Sequence, residues 1–284
     1  MSQVAVVTDT DSSLPSVLAA KYAIRQVPIT IHFGNETFFA CQDIDDKTLF
    51  ERIDRYGKLP TTAAPAPSAF VQAFQEAFDA GASSIVCICV SSKISATYHA
   101  ALAACEQLPG KLITVIDSLS LSMGQGQMVL AAAEAAMSDA SHDAVVASAQ
   151  ALIGRTHVYG TLTTLKYLAM SGRVGKLAAG MANMLNIRPI LRSNDGKLEM
   201  LEKVRTRKAA MERLVALVED AVRGKSLERV SVVHVNNLTD ANELIARLRA
   251  CLPLPEEVIV AEFTPGLSVH AGSGLVGVTF VTGD

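Results

Sequence analysis

Hydrophobic positions in the first half of the chain form short runs that alternate with longer helical patterns. The runs are rich in β-branched residues and mostly apolar throughout, as expected for strands covered on both faces of a sheet. They lie at Val4–Val7, Val27–Ile31, Ile85–Val90 and Leu112–Ile116, and the second, which contains Pro28, is the weakest. Helical patterns lie at Leu14–Tyr22, Asp46–Tyr56, Ser68–Ala80, Ser95–Glu106 and Gly124–Asp139. This alternation predicts a mostly parallel sheet with right-handed crossovers.

In the second half of the chain the predicted strands follow one another more closely. Ser193-Asn194-Asp195-Gly196 separates two apolar runs and is a good hairpin signal. We predict strands at Val158–Leu162, Arg188–Arg192, Lys197–Val204, Val230–Val235, Val258–Phe263 and Gly277–Val281, and helices at Arg207–Val222 and Asp240–Cys251. This pattern predicts a second α/β domain with a mixed sheet and helices on one face. A length of 284 residues fits two domains, and we place them at residues 1–155 and 156–284.

The composition supplies more apolar residues than a core of this size requires. Half the residues are hydrophobic, only 5% are aromatic, and the mean hydropathy is +0.30. A buried apolar cavity is one outlet for the excess, and a dimer interface is another. The net charge is −3 with both signs mixed along the chain, which disfavours nucleic acid as a partner.

Targeting and redox signals favour a cytoplasmic protein. Met1-Ser2-Gln3 carries no basic segment typical of a signal peptide, and no apolar stretch is long enough for a membrane span. The five cysteines are scattered and contain no CxxC pair. Free thiols in a reducing compartment are the expected state.

Polar residues follow three of the predicted strands in the first half. The segments are Thr8–Ser13, Ser91–Tyr98 and Asp117–Ser122, and Ser118 belongs to the last. Ligands of open α/β sheets bind at the carboxyl ends of the strands, and free backbone N–H groups there suit an anion. Each segment is equally typical of a helix cap. Three such segments together predict one polar crevice.

Three further motifs carry candidate chemistry. Thr61-Thr62 lies in the Pro-rich stretch Leu59–Pro67, which we predict to be a stiff loop. Arg173 lies between two glycines in a segment that fails the P-loop pattern, and an arginine there is suited to a carboxylate or a phosphate. His270 precedes Gly272 and Gly274 in a predicted Gly-rich turn. The ordinary alternatives are turn hydroxyls, a surface arginine and a structural histidine.

Patterns for nucleophilic and metal-dependent catalysis are missing from the sequence. There is no Gly-x-Ser-x-Gly elbow and no His/Asp/Glu group with metal-ligand spacing. A Ser–His pair such as Ser95 with His270 remains open, because catalytic triads are assembled in space and not in sequence.

Taken together, the motifs resemble the DegV family of bacterial fatty-acid-binding proteins, whose members include the lipid-holding subunits of fatty acid kinase. The resemblance extends from the strand at Val4 to the strand that ends at Val281. Its motifs are VVTDTDSSLP (6–15), PTTAAPAPSAF (60–70), SSKISATYHAA (91–101), IDSLSLSMGQG (116–126), LKYLAMSGRVGK (165–176), LNIRPIL (185–191), VRTRKAA (204–210) and HAGSG (270–274). Each motif is short, but their shared order is highly specific.

The resemblance implies a fold, a ligand and a partner. The fold is an N-terminal parallel α/β/α domain and a C-terminal mixed-sheet α/β domain, with a lipid tunnel between them. Thr62 and Ser95 match the hydroxyls that hold the fatty acid carboxylate, and His270 is expected near the head group. Arg173 is expected at the carboxyl or phosphoryl end, or at the partner. That partner is a separate ATP-dependent acyl kinase, which makes the acyl phosphate for phospholipid synthesis. The chain itself is expected to be a carrier that needs no cofactor.

The sequence departs from the family pattern beside the implied anchors. Thr62-Ala63-Ala64-Pro65 stands where Thr-Ser-Gln-Pro is usual, and Ser95-Ala96-Thr97-Tyr98 stands for Ser-Gly-Thr-Tyr. His270-Ala271-Gly272-Ser273-Gly274 replaces His-Thr-Gly-Pro-Gly. These departures change the residues beside the head group, while the anchors themselves are kept.

Two other functions stay open beside the carrier: a lipid-ester hydrolase that uses Ser95 or Ser118 with His270, and a small-molecule sensor.

Overall fold

The computed structural model describes residues 4–171 and 187–283, which form three sheets and the helices that cover them. The strands are β1 Val4–Asp9, β2 Arg25–Val27, β3 Thr30–Phe33, β4 Glu36–Phe39, β5 Thr61–Ala63, β6 Ser84–Cys89, β7 Ile113–Asp117, β8 Thr156–Thr161, β9 Arg188–Asn194, β10 Lys197–Val204, β11 Leu227–His234, β12 Val258–Glu262 and β13 Val276–Thr282. The helices are α1 Ser16–Lys21, α2 Asp46–Tyr56, α3 Pro67–Asp79, α4 Thr97–Cys105, α5 Met123–Met137, α6 His142–Gln150, α7 Lys166–Ser171, α8 Arg207–Val222, α9 Leu238–Cys251 and α10 Pro265–Ala271.

The first sheet is parallel and is covered on both faces, as its apolar strands predict. Its order is β2-β1-β6-β7. Side chains of α3 and α4, including Phe70 and Phe74, pack on one face against Ile85 and Cys87. Residues of α5 and α6 cover the other face. Every residue of β6 is buried, which explains why this strand has no polar alternation.

The single strand predicted at Val27–Ile31 is wrong, because the chain leaves the first sheet at Pro28. Proline has no N–H to donate to a ladder, so β2 ends at Val27 and β3 begins at Thr30 in a different sheet. The N–H of Ile29 between them donates to the Thr10 hydroxyl, 3.0 Å away. β3 pairs with β4 and β5 in a small antiparallel sheet. β5 lies inside the stretch predicted to be a loop, so that prediction is also wrong.

The largest sheet has six strands in the order β10-β9-β8-β13-β11-β12 and is antiparallel except for the β11–β12 pair. Its outer face, which we define as the one that α8 and α9 cover, holds Ile190, Val232, Val278 and Phe280. The hairpin predicted at 193–196 joins β9 to β10, with Asp195 and Gly196 at positive φ. The opposite face, which we call the inner face, is turned toward the first sheet.

Helix α5 lies between the parallel sheet and the six-stranded sheet and packs against both. Its residues from Met123 to Ala133 are all buried, and the amide of Gln127 donates to Ser231 of β11 across 2.6 Å. Burial on every side is expected of a helix that lies between two layers sharing one core. Helix α5 contacts β8, β11 and β13 of the six-stranded sheet.

The structure confirms the predicted α/β class, with one parallel and one mixed sheet. The division at residue 155 falls directly before β8 and stays a prediction. Within 4–171 and 187–283, no helix is long and apolar enough to cross a membrane.

Candidate functional site

A cavity of about 610 Å³ lies where the inner face of the six-stranded sheet, helix α10 and the strand ends of the other two sheets meet. Its wall is mainly apolar. The apolar side chains are Ile29, Ile94, Leu121, Val158, Leu162, Leu168, Leu191, Leu198, Val233, Phe263, Leu267 and Leu275. Polar groups on the wall include Thr62, Ser95 and His270, and the volume is typical of a small-molecule site.

Thr62 and His270 meet on the wall of this cavity although 208 residues separate them in the chain. Thr62 is the middle residue of β5 and pairs with Ile31, which places its side chain beside α10. Its hydroxyl oxygen lies 2.9 Å from Nε2 of His270. Both side chains are half-buried. A hydroxyl and an imidazole thus form one hydrogen-bonded unit near the surface of the protein.

His270 lies in the last turn of α10, so its predicted position in a Gly-rich turn is wrong. Thr264 and Pro265 give α10 its start, with proline in the first turn, where its missing N–H costs nothing. Gly272, at φ 77°, ends the helix. The Thr264–Pro265 and Gly272 signals were available in the sequence. A helix fixes the direction of the imidazole more firmly than a glycine turn does.

Two polar contacts hold α10 against the first half of the chain. The Thr264 hydroxyl donates to the carbonyl of Thr10 across 2.9 Å, and the Ser268 hydroxyl donates to Asp46 across 2.6 Å. Sequence reasoning missed the Asp46–Ser268 contact, which brings together two residues 222 positions apart. Neither Asp46 nor Ser268 belongs to a recognisable motif, so the contact that fixes the position of α10 and His270 is visible only in the fold.

Buried carboxyl groups lie behind the site. Burial raises the pKa of Asp46 to about 7, with Glu262 and Asp45 adding like-charge repulsion, while the Ser268 hydrogen bond opposes the shift. Burial also raises the pKa of Asp9 to about 6, although the N–H of Val90 and the amide of Gln125 donate to it. These groups do not line the cavity, and they support the elements that do.

Ser95 lies in the turn that connects β6 to α4. Its hydroxyl oxygen accepts from the N–H of Thr97 at 3.3 Å and lies 2.8 Å from the Thr97 hydroxyl. The turn is fixed from the other side by Ser91, whose hydroxyl donates to the Gly196 carbonyl at the tip of the β9–β10 hairpin, 2.8 Å away. The serine cap that the sequence predicts here is wrong, because the N-cap of α4 is Ala96 and makes no side-chain cap hydrogen bond. The contacts with Thr97 instead position Ser95 as a cavity-lining hydroxyl.

The remaining site predictions have different outcomes. Ser118 is fully buried in the turn after β7, where its hydroxyl donates to the Ser120 carbonyl at 3.2 Å. The residues found on the cavity wall do not include it. Arg173 lies outside the described residues. Asp11 and Ser92, which come from the polar strand ends, do line the cavity.

The arrangement can bind an apolar molecule that carries a polar group. The side chains of Thr62, Ser95 and His270 offer hydrogen-bonding groups, and most of the remaining wall offers apolar contact. In residues 4–171 and 187–283, no cluster of three or more His, Cys, Asp or Glu side chains is placed to hold a metal ion. Geometry and chemistry alone thus make this cavity a candidate site for an amphipathic ligand.

Comparison with known proteins gives a consistent family. The family model described as an uncharacterised protein of the DegV family matches residues 3–283. A DegV domain-containing protein of Caldanaerobacter subterraneus is 31% identical over 283 residues, covering 99% of each chain.

Solved structures give the same result for the fold. A DegV family protein from Thermus thermophilus, described by its fatty acid binding, superposes with a TM-score of 0.88 at 27% identity and 99% coverage of both chains. DegV from Bacillus subtilis, described as a fatty acid binding protein, superposes with a TM-score of 0.88 at 26% identity and full coverage of both chains. The family match over nearly the whole length settles the relationship, and this chain belongs to the DegV family.

Proposed function

We propose that this protein binds a long-chain fatty acid, with the carboxylate at Thr62, Ser95 and His270 and the acyl chain in the apolar part of the cavity. The observation that carries the proposal is the Thr62–His270 contact on the wall of a largely apolar cavity of about 610 Å³. The described function of the Thermus and Bacillus relatives supports the same ligand class.

The acyl chain supplies the affinity. Each buried methylene contributes about 0.8 kcal/mol, so a chain of about fourteen methylenes contributes roughly 11 kcal/mol before costs. Association costs about 4–15 kcal/mol in lost freedom and ordering. Hydrogen bonds to the charged carboxylate then decide both the net affinity and which end faces the surface, at about 1.5–3 kcal/mol each.

The hydrogen bonds around Thr62 and Ser95 allow both hydroxyl groups to point their protons at an anion. If Nε2 of His270 carries its proton, it donates to the Thr62 oxygen, and the Thr62 proton is free to point at the carboxylate. The Ser95 oxygen accepts from the N–H of Thr97, and the Thr97 hydroxyl is placed to donate to it as well. In this assignment His270 and Thr97 are positioning residues, and the two hydroxyls face the ligand as donors.

We further propose that the bound carboxylate is offered to a separate ATP-dependent acyl kinase. The carboxylate oxygen would attack the γ-phosphorus of ATP on that kinase, giving the acyl phosphate and ADP. The half-buried state of Thr62, Ser95 and His270 supports this proposal, because it places the head group near the surface. The test is acyl-phosphate formation, detected by hydroxylamine trapping, with kinase, ATP and this protein all present. Equal formation without this protein would contradict it.

Equilibrium binding of a long-chain saturated acid tests the carrier function. The double variant Thr62→Val with Ser95→Ala should bind more than tenfold more weakly, since two hydrogen bonds to a charged group are lost. The matched control is Thr61→Val, because Thr61 is the exposed neighbour on the same strand. An unchanged affinity in the double variant would remove these anchors.

The hydrolase alternative lacks the expected contact between nucleophile and base. The Ser95 hydroxyl contacts Thr97 and the Ser118 hydroxyl contacts Ser120, whereas Nε2 of His270 contacts Thr62. Turnover of a chromogenic lipid ester that disappears in His270→Ala would favour the hydrolase. Displacement of a bound acid by unrelated apolar molecules of equal affinity would favour the sensor.

A further inference from the structure

Two glycines face each other in the centre of the six-stranded sheet, on the wall of the cavity. Gly160 of β8 pairs in register with Gly277 of β13, and both line the cavity. Leu191 of β9 and Val233 of β11 flank the pair on the same face. The pair leaves a furrow across two adjacent strands, between walls of branched side chains.

The two glycines differ in what a side chain would meet. A Cβ on Gly277 would lie 2.7 Å from the Tyr159 carbonyl oxygen and 3.3 Å from Cα of Gly160, so the backbone itself excludes a larger residue. A Cβ on Gly160 would lie 3.5 Å from the Val276 carbonyl oxygen and 3.7 Å from Cα of Gly277, which are ordinary contacts. Glycine is therefore required by the fold at residue 277, whereas alanine fits at residue 160.

Glycine inside a strand weakens the strand, because it loses more backbone freedom on folding and has no side chain to pack. Gly160 carries this cost without a positive φ or a backbone clash that explains it. The space that its side chain would enter belongs to the cavity.

Gly160 belongs to a different structural element from the three proposed head-group residues. Thr62, Ser95 and His270 come from β5, the β6–α4 turn and α10, and none of them belongs to the six-stranded sheet. Helix α5 covers the neighbouring inward position, since a Cβ on Gly124 would lie 2.7 Å from a methyl carbon of Val158. Gly160 is thus the next inward position of β8 beyond the contact between Val158 and α5, and both residues line the cavity.

We propose that Gly160 is a specificity-determining residue, whose missing side chain admits the distal methylenes of a long acyl chain. This proposal rests on the proposed function, because it names the part of the fatty acid that the sheet receives. A side chain at residue 160 would fill the furrow and convert the site to one that prefers shorter acids.

The test is a set of binding isotherms for saturated acids of ten to eighteen carbons, measured with wild type, Gly160→Ala and Gly160→Val. Each displaced methylene lowers affinity about fourfold, the ratio that about 0.8 kcal/mol represents. We expect about a fourfold loss for the longest acids in Gly160→Ala and roughly fifteenfold in Gly160→Val, where about two methylenes are displaced. The shortest acids should bind all three proteins alike.

The matched control is Thr161→Val, a near-isosteric change at the next residue of β8. Thr161 is buried on the outer face, opposite Ile190 and Val276. The Thr161→Val variant should leave the affinity for every acid of the series unchanged. Thermal unfolding of each variant without ligand separates binding from folding, and Gly160→Ala is the milder variant that carries the test should Gly160→Val unfold.

The outcomes separate the two proposals. Long acids that bind wild type and both Gly160 variants equally would overturn the role of Gly160 and leave the carrier function standing. A loss that is the same for every chain length would overturn it as well. A wild-type protein that binds no acid of the series would remove the carrier function, and the role of Gly160 with it.

Discussion

The two faces of the six-stranded sheet are built from the same strands and serve different purposes. On the outer face Ile190, Val278 and Phe280 are fully buried beneath α8 and α9. On the inner face the same strands carry Gly160 and Gly277, and a cavity takes the place of packed side chains. The difference shows that an apolar strand pattern predicts burial but does not tell a packed face from a binding face. Glycine at an inward position makes that distinction here.

The largest expected effect comes from removing a buried side chain on the outer face of the six-stranded sheet. Phe280→Ala should lower the free energy of unfolding by about 3–5 kcal/mol, because a fully buried ring is replaced by a void. Chemical denaturation measures this. The affinity of the folded variant for a fatty acid should stay within about twofold of wild type, since this ring lies on the face away from the cavity. A large loss of affinity would show that the two faces are coupled.

The next effect comes from binding a fatty acid in the cavity on the inner face of the sheet. A fatty acid at about 100 times its Kd should raise the free energy of unfolding by about 2.7 kcal/mol, because only the folded protein binds it. The same increment should appear in Phe280→Ala. Thermal unfolding with and without the acid measures both, and a smaller increment in the variant would contradict the independence of the faces.

The pH dependence of stability should report on Asp46, which accepts a hydrogen bond from Ser268 of helix α10. The pKa of Asp46 is about 7 in the folded protein and near its usual 3.8 when unfolded, so the folded state binds more protons between those values. The stabilisation is fully present below the unfolded pKa and is lost as the pH rises through about 7. From about pH 5 to about pH 7 the free energy of unfolding should fall by about 2 kcal/mol on account of this group.

Asp46→Asn isolates this contribution from that of Asp9, whose raised pKa of about 6 acts in the same direction. The variant should show a shallower fall of stability over the same interval, measured by denaturation at each pH. A slope equal to that of wild type would show that Asp46 is ionised throughout.

The smallest expected effect is that of Gly160→Ala, which we compare with Gly277→Ala on the same inner face. Gly277→Ala should lower the free energy of unfolding by about 1–3 kcal/mol, because its Cβ meets the Tyr159 carbonyl. Gly160→Ala should be neutral or should raise it by up to about 1 kcal/mol, as alanine restricts the unfolded chain. Denaturation of the pair measures the contrast. Equal destabilisation in both variants would mean that Gly160 is required by the backbone.

The sequence predicts the regular elements well where burial alone forms them. Helices Asp46–Tyr56 and Arg207–Val222 and strand Lys197–Val204 have the bounds that the pattern indicates. It fails at Thr61–Ala63, because a three-residue strand in a Pro-rich segment exists only through its pairing with β3. It also misses α10, although Thr264 and Pro265 carry a helix-start signal.

The candidate site is less accessible to sequence reasoning than the fold. Thr62 and Ser95 stand out through family resemblance, whereas their own segments are equally typical of turns and caps. The Thr62–His270 contact spans 208 residues and depends on how β5 and α10 pack. The cavity depends on which inward positions lack side chains. Gly160 can be recognised as such a position only when the register of β8 and β13 is known.

The most direct test of the binding site is the electron density of a long-chain fatty acid in a crystal of this protein. We predict the carboxylate within about 3.2 Å of the hydroxyl oxygens of Thr62 and Ser95, and methylenes over Gly160. An acid found with its carboxylate away from both hydroxyls, or with its chain outside the cavity, would contradict the site.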